Sequence, residues 1–121
     1  MKLYIAAPWV HRLQARHTAD WFAARGYTIT SRWLREHEAS DDPTVLQREA
    51  LADVKDVRTC DAFILLNTTR SDGKATELGM AYILGKPIVV VGERPGNVFH
   101  YLPEVQFANM LDDVLSLLPL S

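Results

Sequence analysis

The stretch Asp72–Val91, DGKATELGMAYILGKPIVVV, decides how the rest of the chain is read. Its first part has helical spacing with apolar side chains on nearly every side, and it runs into a β-branched strand. Glu77 does not fit that pattern. At about 100° per residue it shares its side of the helix with Ala81 and Leu84, which leaves no wet face for a carboxylate. Burying an unpaired charge costs several kcal/mol or shifts its pKa, so Glu77 either has hidden partners or lines a cavity where a substrate sits.

Working outward, Leu3–Ala7 reads as a short apolar strand stopped by Pro8, followed by a helix over Arg12–Arg25 that Gly26 ends. Tyr27–Ser31 is a β-branched strand. Residues Arg35–Asp42 are polar and charged and read as an exposed loop, a candidate lid, before Pro43 opens a second helix reaching about Thr59. Ala62–Leu66 and Pro87–Val91 are strands, Val105–Ala108 is a weaker one, and a closing helix covers about Met110–Leu118. Strand and helix alternate throughout. That alternation predicts a doubly wound α/β, flavodoxin- or Rossmann-like three-layer sandwich around a five-stranded, mainly parallel sheet.

The 121 residues, 48% of them hydrophobic, suffice for one core, so a single domain over 1–121 is expected. A formal charge of −2 offers no footprint for a phosphate backbone, and nucleic acid is not an expected partner. Cys60 is the lone cysteine, the start MKLYIAAP lacks the apolar core of a signal peptide, and no run approaches a membrane span. A cytoplasmic protein without membrane contact is expected. The four histidines have no metal-ligand spacing, so neither a metal nor a cofactor is expected.

Sheets of this class bind ligands beyond the carboxyl ends of their strands, where strand order reverses. The sequence places Ala6, Ala7, Pro8 and Trp9 there after the first strand, and Asn67, Thr68, Thr69, Ser71, Asp72 and Gly73 after the third. Glu77 then lies near a helix N-terminus whose partial positive charge favours an ionised carboxylate. In the second helix Leu46, Ala50, Val54 and Val57 form the apolar stripe. Arg48, Glu49, Lys55 and Asp56 project away from it, whereas Asp53 falls within it. Two carboxylates on core-facing sides of separate helices suit acid–base or glycosyl chemistry, because a low-dielectric site drives their pKa values apart. Asp53 could equally be a buried polar group bonded to backbone amides, and Glu77 a helix-terminus acid.

The segments KLYIAAPW (2–9), ALADVKDVRTCDAFILLN (50–67) and ATELGMAYILGKPIVVV (75–91) resemble the nucleoside 2-deoxyribosyltransferase family, with its relatives that hydrolyse the N-glycosidic bond of nucleoside monophosphates. The resemblance implies that Glu77 attacks the anomeric carbon and forms a glycosyl-enzyme intermediate. It implies further that Asp53 supports the site, that Tyr4 orients the nucleophile, and that Asp72 lies near a family acid. A small nucleoside or nucleotide is the implied substrate. Either Asp53 or Asp72 could protonate the departing base, and Trp9 and Trp33 could stack on a base or fill core.

Family members that take 5′-monophosphates carry a Gly/Ser/Arg-rich loop after the first strand, where this chain has Ala6–Ala7–Pro8–Trp9. Arg12, Ser71 and Lys74 nevertheless lie near the expected crevice and keep a phosphate within reach. Family transferases also borrow an amide side chain from a neighbouring subunit; Asn97 and Asn109 are merely nearby. Because the Glu77 helix is apolar all round, Met80 and Tyr82 need cover beyond the sheet, and a homodimer or larger homo-oligomer is expected.

Overall fold

The computed structural model describes residues 1–92 and 97–119. Five strands, β1 (Lys2–Ala6), β2 (Thr28–Ile29), β3 (Ala62–Leu66), β4 (Ile88–Val91) and β5 (Val105–Ala108), form one sheet in the order β2-β1-β3-β4-β5. All four pairings are parallel, in the register Tyr4↔Phe63, Ile64↔Val89 and Val89↔Gln106. The order reverses between β1 and β3, the kind of switch point above whose carboxyl ends sheets of this class bind ligands.

Five helices complete the sandwich: α1 (Arg12–Ala23), α2 (Trp33–Glu36), α3 (Pro43–Thr59), α4 (Asp72–Ile83) and α5 (Leu111–Leu117). Helices α3 and α4 pack on each other and both touch β1; α1 packs against β1 and β2, and α5 against β4 and β5. Every residue of β3 is buried, as a central strand covered on both faces requires. Phe63 stacks on Tyr4 at 5.5 Å within this core, and truncating so large a buried ring costs about 3–5 kcal/mol. No helix among the described residues is long and apolar enough to cross a membrane.

Local chemistry sets the boundaries that matter. Asp42 caps α3 by accepting from Thr44 N at 2.9 Å, with Pro43 in the first turn. Ser71 caps α4 by accepting from Lys74 N at 3.3 Å. Gly26 follows α1 at φ +93°, the left-handed conformation that releases the chain toward β2. Gly92, at φ +113°, lets β4 end against Asn67: a Cβ there would sit 3.2 Å from the Asn67 carbonyl oxygen.

Three expectations are corrected. Strand β2 spans only Thr28–Ile29, because Ser31 turns inward to accept from Ile5 N and the chain coils into α2. The segment expected as an exposed loop from Arg35 begins inside α2, and Arg35 is held there by an ion pair with Asp20. In α3 the expected stripe is misplaced, since Leu46 and Ala50 are exposed while Asp56 is buried beside Val57. Asp56 faces inward because Arg32 meets it with a bidentate ion pair at 2.9 Å and Arg32 N donates to its Oδ2.

Candidate active site

The site begins with Tyr4, the middle residue of β1, whose side chain is wholly buried and reaches across to α4. Its phenol donates to Glu77 Oε2 at 2.5 Å. Asp53, from α3, lies within hydrogen-bonding reach of Glu77, so the two carboxyls form a pair beneath the switch point. Burial raises both above the ordinary carboxylate range, Asp53 to about 7 and Glu77 to about 8. Neighbouring acids lift Asp53 further, Asp56 first, and Tyr4's donated hydrogen bond pulls against the rise at Glu77. Such a pair titrates as a unit and holds one proton near neutrality. The Tyr4 hydroxyl is itself pushed far upward by burial and by Glu77, so it serves only as a donor.

The crevice walls come from the loops after β1 and β3. Ala7 and Pro8 are buried at the end of β1, and Trp9 follows, half-buried, in a short 3-10 turn over Trp9–His11. His11 Nδ1 stands 2.6 Å from Thr68 Oγ1 and ties the two loops together. The Arg12 guanidinium lies 4.6 Å over the Trp9 ring and donates to its carbonyl, so Arg12 supports Trp9. Trp33 is buried, with Nε1–H donating to Ile5 O at 2.8 Å and its ring 6.3 Å from that of Trp9. It is core that backs Trp9, the more exposed of the two.

A second hollow, about 300 Å³, opens at the start of α4 and is lined by Asn67, Arg70, Ser71, Lys74, Asn97 and His100, with Asp72 and Ala75 at its side. Lys74 is buried here and donates from Nζ to Asn67 Oδ1 at 2.8 Å and to Thr69 O at 2.5 Å. Desolvation lowers its pKa, and burial, followed by the Lys74 charge, lowers that of His100. His100 Nδ1 is buried without a hydrogen-bond partner. Asp72 and Gly73 are exposed in the first turn of α4, and Asp72 faces this hollow rather than the Asp53–Glu77 pair.

Tyr4, Asp53 and Glu77 therefore come together from three separate elements, while Asp72 stands apart. Sequence reasoning missed His37, whose Nε2 stands 3.5 Å from Asp53 Oδ1, and the Arg32–Asp56 pair one helical turn below Asp53. A lone histidine in a polar loop has no periodicity to betray it. The Arg32–Asp56 pair joins residues 24 apart and leaves no local signature either. Among the described residues no cluster of three or more His, Cys, Asp or Glu side chains is arranged to hold a metal ion.

A buried acid pair with raised pKa values, braced by a buried phenol at the switch point of a doubly wound sheet, is an arrangement suited to catalysis. The family model of nucleoside 2-deoxyribosyltransferases matches residues 3–110, and the chain belongs to that family, a family of enzymes acting on nucleosides or nucleotides. The 2-deoxyribosyltransferase of the psychrotolerant bacterium Bacillus psychrosaccharolyticus shares its fold, with a TM-score of 0.72 and 23% identity over 94% of this chain and 90% of that one. The CMP N-glycosidase of Clostridium botulinum does so with a TM-score of 0.63 and 19% identity over 96% of each chain. No curated protein matches the sequence.

Proposed function

We propose that the protein cleaves the N-glycosidic bond of a (deoxy)nucleoside through a glycosyl ester on Glu77 and passes the sugar to a second base. The observation that carries this reading is the Tyr4 hydroxyl donating to Glu77 Oε2 beside Asp53. At rest the higher pKa of Glu77 keeps the shared proton on that residue, so attack requires it to pass to Asp53, and the hydrogen bond from Tyr4, which favours the ionised form of Glu77, supports that transfer. A Glu77 carboxylate oxygen bonds to the anomeric carbon as the C–N bond breaks, and the bond's electron pair leaves with the base nitrogen. Asp53 gives that nitrogen its proton. A second base then attacks the same carbon, surrenders its N–H proton to Asp53 and frees Glu77. Asp53 is preferred to Asp72 as the acid because Asp72 is exposed on another hollow.

One observation favours a second reading, hydrolysis of a nucleoside 5′-monophosphate with water as the attacking group. The hollow at the start of α4 joins a helix N-terminus to Arg70, Lys74 and His100, a setting suited to a phosphate dianion. Ser71 and Lys74 would hold that group, with one ammonium hydrogen of Lys74 still available after its two bonds. Arg12, given to Trp9, would not. The test presents a deoxynucleoside and its 5′-monophosphate separately, each with and without excess acceptor base, and separates the products by chromatography. A new nucleoside supports transfer, and free base from the monophosphate alone, indifferent to acceptor, supports the second reading. No free base from either would sink both.

The reading includes a homodimer built on the outer faces of α3 and α4. Leu51 is 65% exposed and Ile83 85%, beside Leu46, Leu84 and the half-buried Met80. So much adjoining apolar surface on two packed helices calls for a symmetric partner.

A further inference from the structure

The loop after α2 brings His37 against Asp53 in a way that the glycosidic chemistry above does not use. Its Nε2 and Asp53 Oδ1 are both buried, both lack any hydrogen-bond partner, and they face each other at 3.5 Å. Two orphaned polar atoms, one a potential donor and the other an acceptor, are costly unless they meet. The gap exceeds a formed N–H···O bond by a few tenths of an ångström, and active-site bonds of this kind commonly tighten when substrate binds.

The loop is anchored to α3 beside this contact. Glu38 N donates to Glu49 Oε2 at 2.9 Å, which fastens the backbone beside His37 to α3 one turn before Asp53. The imidazole forms a wall of a hollow of about 300 Å³ lined by Arg32, Glu36, Arg48, Glu49 and Ala52, while its side chain is only 12% exposed. The charged groups facing it are Arg32 and Glu36 from its own side, and Arg48, Glu49, Asp53 and Asp56 from α3. Burial outweighs these acids and lowers the pKa of His37, which makes the ring a neutral hydrogen-bond donor at pH 7.

We propose that His37 is the positioning residue for Asp53: its Nε2–H donates to Asp53 Oδ1 and fixes the plane of the carboxyl that faces Glu77. This rests on the reading of Asp53 as the acid of glycosidic cleavage. His37 touches no reacting atom and acts through Asp53 alone. The bond holds the proton-bearing carboxyl in one orientation while the proton passes to the leaving base and returns.

The test compares His37→Phe, which removes the donor, with His37→Gln, whose amide nitrogen can take the place of Nε2. Turnover in His37→Phe is expected to fall tenfold to a hundredfold, about the effect of one buried hydrogen bond, with KM changed little. The alkaline limb of its pH–rate profile moves upward, because a carboxylate deprived of a donor ionises less readily. His37→Gln restores both turnover and limb to near wild type. Nitrogen-15 NMR of the histidine rings adds a readout apart from turnover. Wild-type His37 is expected as the neutral Nε2–H tautomer, with a protected proton that is lost in Asp53→Ala. Unchanged turnover and pH profile in His37→Phe, or a wild-type ring protonated on Nδ1 alone, would overturn the proposal. A wild type that releases no base while its His37 Nε2–H is protected would instead strike the glycosidic reading and leave the pairing standing.

Discussion

Tyr4 and Glu77 stand 73 residues apart in sequence, yet the phenol of one donates to the carboxylate of the other across 2.5 Å. Sheet topology makes the meeting possible, since β1 lies beside β3 and α4 springs from the loop after β3. Tyr4→Phe keeps the ring stacked on Phe63 and removes only the donor. Turnover is expected to fall tenfold to a hundredfold, about what a lost hydrogen bond to a charged group costs. Steady-state kinetics with a deoxynucleoside checks this, and a wild-type rate in Tyr4→Phe would remove the phenol from the account.

The raised carboxyls predict how stability varies with pH. Folding lifts Asp53 from 3.8 to about 7 and Glu77 from 4.5 to about 8, so between roughly pH 4 and pH 8 the folded state binds protons that the unfolded chain releases. The stability this pair contributes is complete below pH 4 and is lost as pH rises through 7 to 8. Glu77→Gln, which cannot ionise, should gain on wild type by on the order of 2 kcal/mol at pH 9 and show no such gain at pH 4. Urea melts at both values measure the difference. Equal gains at the two pH values would mean that the pair does not titrate in this range.

Much of this arrangement was legible beforehand, and the reasons are specific. Glu77 stood out as a carboxylate in a largely apolar helix, although that helix does have a wet face through Thr76, Gly79 and Ile83, and Asp53 stood out from a stripe of which the structure buries Val57 and half-buries Val54. Tyr4 was reached through the resemblance of the first strand rather than through periodicity, since a tyrosine on a strand is ordinarily packing. Asp56 was assigned to solvent because the angle count cannot foresee a guanidinium arriving from residue 32. The same count placed Leu46 and Ala50 inside because exposed apolar side chains at helical spacing obey the same pattern as buried ones. Trp33 gave no sign of the Ile5 carbonyl that fixes its indole.

Asp56 is expected to be a structural acid. Asp56→Leu strands Arg32 N without its acceptor and loosens α3 from the chain entering α2, so the melting temperature should drop by several degrees. With Asp56 the largest neighbouring charge raising Asp53, its removal also moves the alkaline limb of the rate profile downward. Calorimetry and a pH–rate series test the two parts, and an unchanged melting temperature would contradict the first.

The exposed rows on α3 and α4 predict association. Wild-type protein at micromolar concentration should scatter light as a dimer or larger assembly, and Ile83→Glu should shift it toward monomer by burying a charge in the contact. A monomeric wild type would leave these apolar faces without a cover.

In the proposed reaction Glu77 becomes covalently bonded to the sugar. A 2-fluoro-2-deoxynucleoside slows both bond-breaking steps by destabilising positive charge at the anomeric carbon, and it traps the ester when formation outpaces breakdown. Intact-mass and peptide mass spectrometry after such incubation should show one fluorosugar added per chain, located on Glu77 and absent from Glu77→Gln. Base release by an enzyme that never carries this adduct, or an adduct on Asp53 or another residue, would contradict the account.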